Sequence, residues 1–377
     1  MIRLLHTADL LLDSPFADLG DLADRRRGDQ LRTFEKLINL AIKNEVDLAV
    51  FAGNLFATPR PEPEIVQAVC EGLQRLVDRQ IVPVVLPGGL DGVLTPDNIY
   101  RLSAIPGLLL SDIRRLRRPL SLELKSTPVH LYGFAWSGNE ADPAALSSLK
   151  RVDQPGVHIG VLQAGTDDDP SQYFRELPAV DADMLRRWGL DYVALGNRRT
   201  WREIGDEKTT HGIFPGTPEG TSFRETGQRH CALVTLGEGT PQVEKLVVNS
   251  RTLEEAKIDL TGVESNHAIG RAIAEHAHPE VILRAVLKGQ PAIPPDLPEL
   301  HAQVHDQFAG LVLEDRTVLT EGAFAEKLRK LGKPFASLLE EAAQLRSQAA
   351  TEAEKRLLEE AFRTALARLE KTTGGLS

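Results

Sequence analysis

Four apolar runs, each ending abruptly in a turn rich in polar residues, constrain this chain more than any other feature. They are LLHTADLLLDSPF at Leu4–Phe16, VDLAVFAGNLF at Val46–Phe56, IVPVVLPGGLDG at Ile81–Gly92 and DYVALGNRRTW at Asp191–Trp201. The second carries the uninterrupted run Leu48–Ala52. A strand covered on both faces reads that way, because no alternate position has to meet water. Gly53 and Asn54 follow at the strand's C-terminal end. In open α/β sheets that edge is where sites are built. A fold that gathers four such turns on one edge brings their polar residues together.

The connecting segments support a parallel sheet. Leu31, Phe34, Leu37, Ile38 and Ala41 fall at helical spacing within Asp21–Asn44, and Val66, Val69, Cys70, Leu73, Leu76 and Val77 do so within Ile65–Arg79. The order is then βαβαβ, with right-handed crossovers. Short strands at Ser121–Leu124, Val129–Phe134 and His158–Gln163 predict an antiparallel addition or a second sheet packed on the first. Further strands are expected at Gly212–Pro215 and Cys231–Leu236.

At 377 residues the chain is long enough for two or three domains. The sequence divides into a core over 1–250, a small α/β unit over 251–320 and a helical tail over 321–377. The small unit has strands at Lys257–Leu260, Val281–Lys288 and Gly310–Leu313, a helix around Ala268–His276, and a Pro-rich loop, QPAIPPDLPE. In the tail, one stripe holds Phe335, Leu338 and Leu339 and another holds Leu358 and Phe362. They read as amphipathic helices that dock a partner, the alternative being stripes that pack on their own domain.

A formal charge of −10 argues against a generally basic nucleic-acid binder and leaves room for a local basic patch. The clusters Arg25–Arg27 and Arg114–Arg118 are the candidates for phosphate contacts, or else solvated faces. Two cysteines, Cys70 and Cys231, exclude a disulfide framework and suit a reducing, cytoplasmic setting. No apolar run approaches the ~20 residues of a membrane span, and the N-terminus lacks a signal-peptide core.

The turns carry ADLLLDSPF at 8–16, AGNLFA at 52–57, PGGLDG at 87–92, VLQAG at 161–165 and ALGNRR at 194–199, followed by FPGTPEGTSFRETG at 214–227. In that order they resemble the motifs of calcineurin-like metallophosphoesterases, specifically the SbcD/YhaO-type DNA-repair nucleases with their DSPF signature. The resemblance covers about 1–317. It implies an α/β fold: a layered two-sheet core flanked by helices, with a small α/β, DNA-binding-like capping domain and the helical tail. It also implies two divalent ions that clamp a phosphodiester and activate water.

Carried over position by position, the ligand set is largely missing. Asp9 matches the first carboxylate. Leu11 stands where a His is expected, Asn54 in the place of the bridging Asp, Gly89 for the Asn and Leu90 for the catalytic His of GNHD. Gln163 replaces a His, and Asn197 and Arg199 replace the two His of GHxH. Leu11, Gly89 and Leu90 offer no side-chain donor, the amides are weak donors, and Arg199 brings a fixed positive charge. No resident metal or cofactor is therefore expected, and no catalytic residue. Asp9, Asn54 and Gln163 are the residual candidates for a single Mn or Mg ion if activity survives. Asp9, left without metals, needs a partner, and Arg198 or Arg199 is expected to reach it.

The resemblance implies a scaffold for DNA or for an SbcC/YhaN-like ATPase, and leaves a second copy of the chain open as a partner. The other reading is a metal-dependent DNA exonuclease with weak residual activity. Asp13 and Asp91 are expected to shape their own loops. Asp167–Asp169 reads as a solvated acidic loop, and His158 as a histidine with no evident partner.

Overall fold

The computed structural model describes residues 1–92, 96–136, 141–166, 172–173, 177–206 and 209–373, with positions 18, 141, 142, 370 and 373 described in backbone only. The acidic run 167–169 lies outside the described residues. The chain divides into two compact units, Met1–Thr252 and Leu253–Ser377.

The first unit is built on two six-stranded sheets. Strands β1 (Ile2–Thr7), β2 (Leu48–Ala52), β3 (Val82–Leu86) and β4 (Leu108–Leu109) pair in parallel. The second sheet takes β5 (Leu120–Leu124), β6 (Thr127–Tyr132), β7 (Val157–Gln163), β8 (Tyr192–Gly196), β9 (Arg202–Gly205) and β10 (Thr210–Phe214). The antiparallel strands β11 (His230–Leu236) and β12 (Gln242–Val247) complete the first sheet, whose order is β12-β11-β1-β2-β3-β4. The second sheet runs β5-β6-β7-β8-β10-β9, parallel in its middle and antiparallel at both edges.

The hydrophobic pattern explains the layering. Leu4, Leu48, Val50 and Val84 face Leu131, Ile159, Val161 and Ala194 in a core between the sheets. The alternate residues Leu5, Ala49, Phe51 and Val85 turn to the other face. There they meet Phe34, Leu37 and Ile38 of α1 (Ala23–Lys43) and Val69, Leu73 and Leu76 of α2 (Pro63–Val77). Both faces of β2 are thus covered, as its unbroken apolar run requires. Behind the second sheet, Tyr132, Leu162 and Val193 pack with Leu185 and Trp188 of a short helix, Ala182–Trp188. Every loop that follows β1, β2, β3, β7 and β8 therefore leaves at one edge.

Two sequence readings change here. Arg26 is fully buried: its guanidinium donates to Asp29 at 2.7 Å, to Glu219 at 2.5 Å and to the carbonyl of Gly220 at 2.8 Å. Placed one turn into an amphipathic helix, it points inward and ties α1 to the 214–227 segment, so it is not a phosphate contact. His158 has partners. It meets the Tyr132 hydroxyl at 2.7 Å and the Gln154 carbonyl at 2.9 Å, and its ring lies tilted against His130 at 4.5 Å between centroids.

In the second unit, β13 (Thr252–Asp259), β14 (Val281–Lys288) and β15 (Gly310–Asp315) form a three-stranded sheet. Two helices cover it, Asn266–Ala274 and Leu297–Val304, the latter starting inside the segment read as a Pro-rich loop. Asp296 caps it, its carboxylate accepting the Glu299 N–H at 3.0 Å. Three further helices, Gly322–Lys330, Lys333–Gln348 and Glu352–Thr373, share a core of their own. Phe335, Leu339 and Phe362 are buried in it and Leu338 packs against it; Leu358 is half-buried. The stripes expected to dock a partner are used within the bundle, because three amphipathic helices in sequence satisfy one another's apolar faces. Among the described residues no helix is long and apolar enough to cross a membrane.

Candidate functional site

Asp9 lies just past the end of β1, fully buried. The turn holding it is locked to the next one: the N–H groups of Asp9, Leu11 and Leu12 donate to the carbonyls of Gly53, Asn54 and Leu55, each at 3.0 Å. Asp9, Leu11, Asn54 and Asn197 all have left-handed backbone, with φ of 51°, 52°, 45° and 89°. Each such non-glycine residue costs on the order of 1 kcal/mol, and such residues cluster where a loop is shaped for a purpose. Glycine is required at two places between them. A side chain at Gly88 would meet the Asn54 amide, and one at Gly53 would meet the Gln163 amide.

Asn54, Gln163 and Asn197 converge on the Asp9 carboxylate. Asn54 Nδ2 donates to Oδ1 at 2.7 Å, Gln163 Nε2 reaches Oδ1 at 3.5 Å, and the Asn197 backbone N–H donates to Oδ2 at 2.7 Å. The orientation of both side-chain amides is fixed from behind. Leu90 N–H donates to Asn54 Oδ1 at 3.0 Å, and Gly89 N–H donates to Gln163 Oε1 at 3.1 Å. The amide oxygens are thereby occupied and the NH2 groups face inward. Leu11 is buried and contributes no polar atom, and Gly89 and Leu90 act through backbone N–H alone.

Burial drives the Asp9 carboxyl up to about 7, against the pull of the Asn54, Asn197 and Arg198 hydrogen bonds. The arginine expected beside it goes elsewhere. Arg199 Nε lies 3.1 Å from Glu225 Oε1 and its guanidinium sits 4.2 Å over the Tyr173 ring, while Arg198 donates to Thr166 Oγ1 at 3.0 Å. Glu225 is a buried carboxylate that also accepts from the hydroxyls of Tyr173 and Thr221, while Arg198 reaches Asp9 through its backbone N–H. Glu225 is the organising residue that the sequence reading passed over. Its only signal was its place in the RETG segment at 224–227.

The remaining carboxylates are structural. Asp91 accepts from Gly88 N–H at 2.7 Å, Phe56 N–H at 2.9 Å and the Tyr100 hydroxyl at 2.7 Å. Asp13 accepts from Glu62 N–H at 3.0 Å. His211 faces Asp206 at 3.6 Å.

No family model matches. The metallophosphoesterase YhaO of Bacillus subtilis is 24% identical over 285 residues, covering 73% of this chain and 67% of its own length. The DNA double-strand break repair protein Mre11 of Methanopyrus kandleri is 25% identical over 240 residues, 59% of this chain and 50% of its own. The chain is similar to a metallophosphoesterase and to Mre11 repair proteins. Among solved structures, the calcineurin-like phosphoesterase YfkN of Bacillus subtilis aligns at 12% identity and a TM-score of 0.34, over 66% of this chain and 90% of that one. The match thus spans two thirds of YhaO and half of that Mre11.

Metallophosphoesterases of this kind imply a two-ion centre, and the residues here do not fit one. A divalent cation needs several anionic or imidazole donors with lone pairs aimed at it. Among the described residues no three His, Cys, Asp or Glu side chains converge to hold a metal. Asp9 stands within a ring of N–H donors, whose positive ends oppose a cation. Turning the Asn54 and Gln163 oxygens inward would strip the Leu90 and Gly89 N–H groups of their acceptors, at about 1–3 kcal/mol each.

Proposed function

We propose that this chain is a non-catalytic metallophosphoesterase that acts as a scaffold, holding DNA or an SbcC/YhaN-like ATPase without cleaving a phosphodiester. The observation that carries the reading is the amide ring: Asn54 and Gln163 are each pinned by a backbone N–H so that their NH2 groups face Asp9. Such a pocket offers no place for the charge of two divalent ions and nothing to activate water. The shape of the loops persists in the left-handed residues at 9, 11, 54 and 197. The DNA part of the reading draws on the repair role in the name of Mre11. For an ATPase contact, the bundle's outer surface offers the exposed Leu331, Leu345 and Leu357.

The second reading, a weak exonuclease using one ion at Asp9, Asn54 and Gln163, is favoured only by the retained Asp9 carboxylate. A nuclease assay on single- and double-stranded DNA with millimolar manganese separates the two. The scaffold reading expects no manganese-dependent cleavage above the level of an Asp9→Ala variant. Cleavage that is lost in that variant would establish the exonuclease.

A further inference from the structure

We infer that the arginine segment 114–118 clamps the phosphodiester backbone of duplex DNA beside the Asp9 pocket; the inference rests on the reading of this chain as a DNA-holding scaffold. Connectivity places the segment. Strand β4 runs parallel to β3, so Leu110 leaves the first sheet at the edge that also carries the 87–92 turn, its N–H donating to the Val85 carbonyl at 3.0 Å. Strand β5 runs antiparallel to β6, and β6 parallel to β7, so Leu120 enters the second sheet at the edge where Gln163 ends. A side chain at Gly133, just past β6, would meet Leu110 at 3.0 Å, which confirms that the two sheets' ends adjoin there. Residues 111–119 therefore cross from one sheet to the other on the pocket's own edge. Two strand spacings, ~10 Å, separate β4 from β2 and β5 from β7, a span that a bound backbone covers in a few phosphates.

The segment is anchored and charged. Leu116 is buried behind the second sheet and Ile113 packs against the same core. Asp112 accepts the Arg114 N–H at 2.9 Å and pairs with its guanidinium at 2.7 Å. Arg114, Arg117 and Arg118 are exposed and Arg115 half-buried. Asp112 also acts on Arg115 electrostatically, and among the described residues no acidic side chain forms an ion pair with Arg117 or Arg118. Of the other exposed arginines on this unit, Arg60, Arg75 and Arg186 have carboxylate partners, at Asp97, Glu35 and Asp183. Four guanidinium groups within five residues, offset by one carboxylate on a chain of charge −10, make a local positive field that an anion relieves. A guanidinium fork fits phosphate oxygens bidentately.

The test is fluorescence anisotropy of a short labelled duplex with the full chain, titrated across salt. The triple variant Arg115→Ala, Arg117→Ala, Arg118→Ala is expected to bind on the order of 100-fold more weakly at about 0.1 M salt, with a salt slope shallower by about 2 to 3. A control that removes equal charge from the helical bundle, Arg329→Ala, Lys330→Ala, Lys333→Ala, should leave the slope unchanged. If the wild type binds and the triple variant binds equally well, the clamp is overturned while the scaffold reading stands. If the wild type does not bind DNA even at low salt, the DNA reading falls with it. Loss of binding to phosphatidylserine vesicles without loss of DNA binding would assign the patch to a membrane surface and overturn the clamp. Should the triple variant fail to fold, Arg117→Glu and Arg118→Glu singly carry the same expectation.

Discussion

Asp9 and the residues around it set the chemistry at the smallest scale. Its folded carboxyl titrates near 7, above the ordinary 3.8, so the folded state holds the proton more tightly than the unfolded chain. Its contribution to stability is therefore whole below about pH 4 and is lost as pH rises through 7, by on the order of 4 kcal/mol. His6 works the other way. Buried and held down to about 3, it takes stability away as pH falls below 6.5. Comparing Asp9→Asn with the wild type cancels the His6 contribution. The variant's urea midpoint, relative to wild type, should rise between about pH 4 and pH 8; a difference independent of pH would show that Asp9 keeps its charge. Arg26 is the second test at this scale. Arg26→Met leaves Glu219 buried without its cationic partner, while Asp29 keeps Arg32 and Arg251, and should cost about 3–5 kcal/mol in urea unfolding. That Asp9, Asn54, Gln163 and Asn197 would meet was legible in the sequence, because strand-end turns hold fixed positions in such sheets. The partner of Arg199 was not. Glu225 lies on a distant segment, and the direction of each amide depends on turn N–H groups that no side-chain pattern reports.

At the scale of elements, the buried strands were legible because a run such as Leu48–Ala52 has one structural solution. The first sheet's extra strands were harder to see. Strand β4 has two residues and β12 is half-exposed, so neither carries a clear period. The interlocked turns make a sharp expectation. Gly53 has φ +93° and no room for a side chain against Gln163. Gly53→Ala should destabilise the first unit by about 2 kcal/mol or more, measured by denaturant unfolding. The helical stripes were legible as stripes, and what they pack on was not, since an amphipathic face reads the same whether its partner is a neighbouring helix or another protein. Leu339, fully buried among three helices, provides the check: Leu339→Ala should cost about 2–5 kcal/mol. A cost near zero would return that stripe to the surface.

Over the whole molecule, two layered sheets and strained strand-end turns surround a pocket that is closed by its own hydrogen bonds. On the scaffold proposal, the strained turns and their amide donors serve as a framework whose value is its surface. The most direct measurement is a crystal structure grown in millimolar manganese, with anomalous scattering collected at the manganese edge. The expected result is no anomalous peak within about 3 Å of the Asp9 carboxylate, a coordination distance for such an ion, and an Asn54 amide still donating to it. Two bridged peaks there, with the Asn54 and Gln163 oxygens turned inward, would contradict the central claim and make the chain a metal-dependent hydrolase.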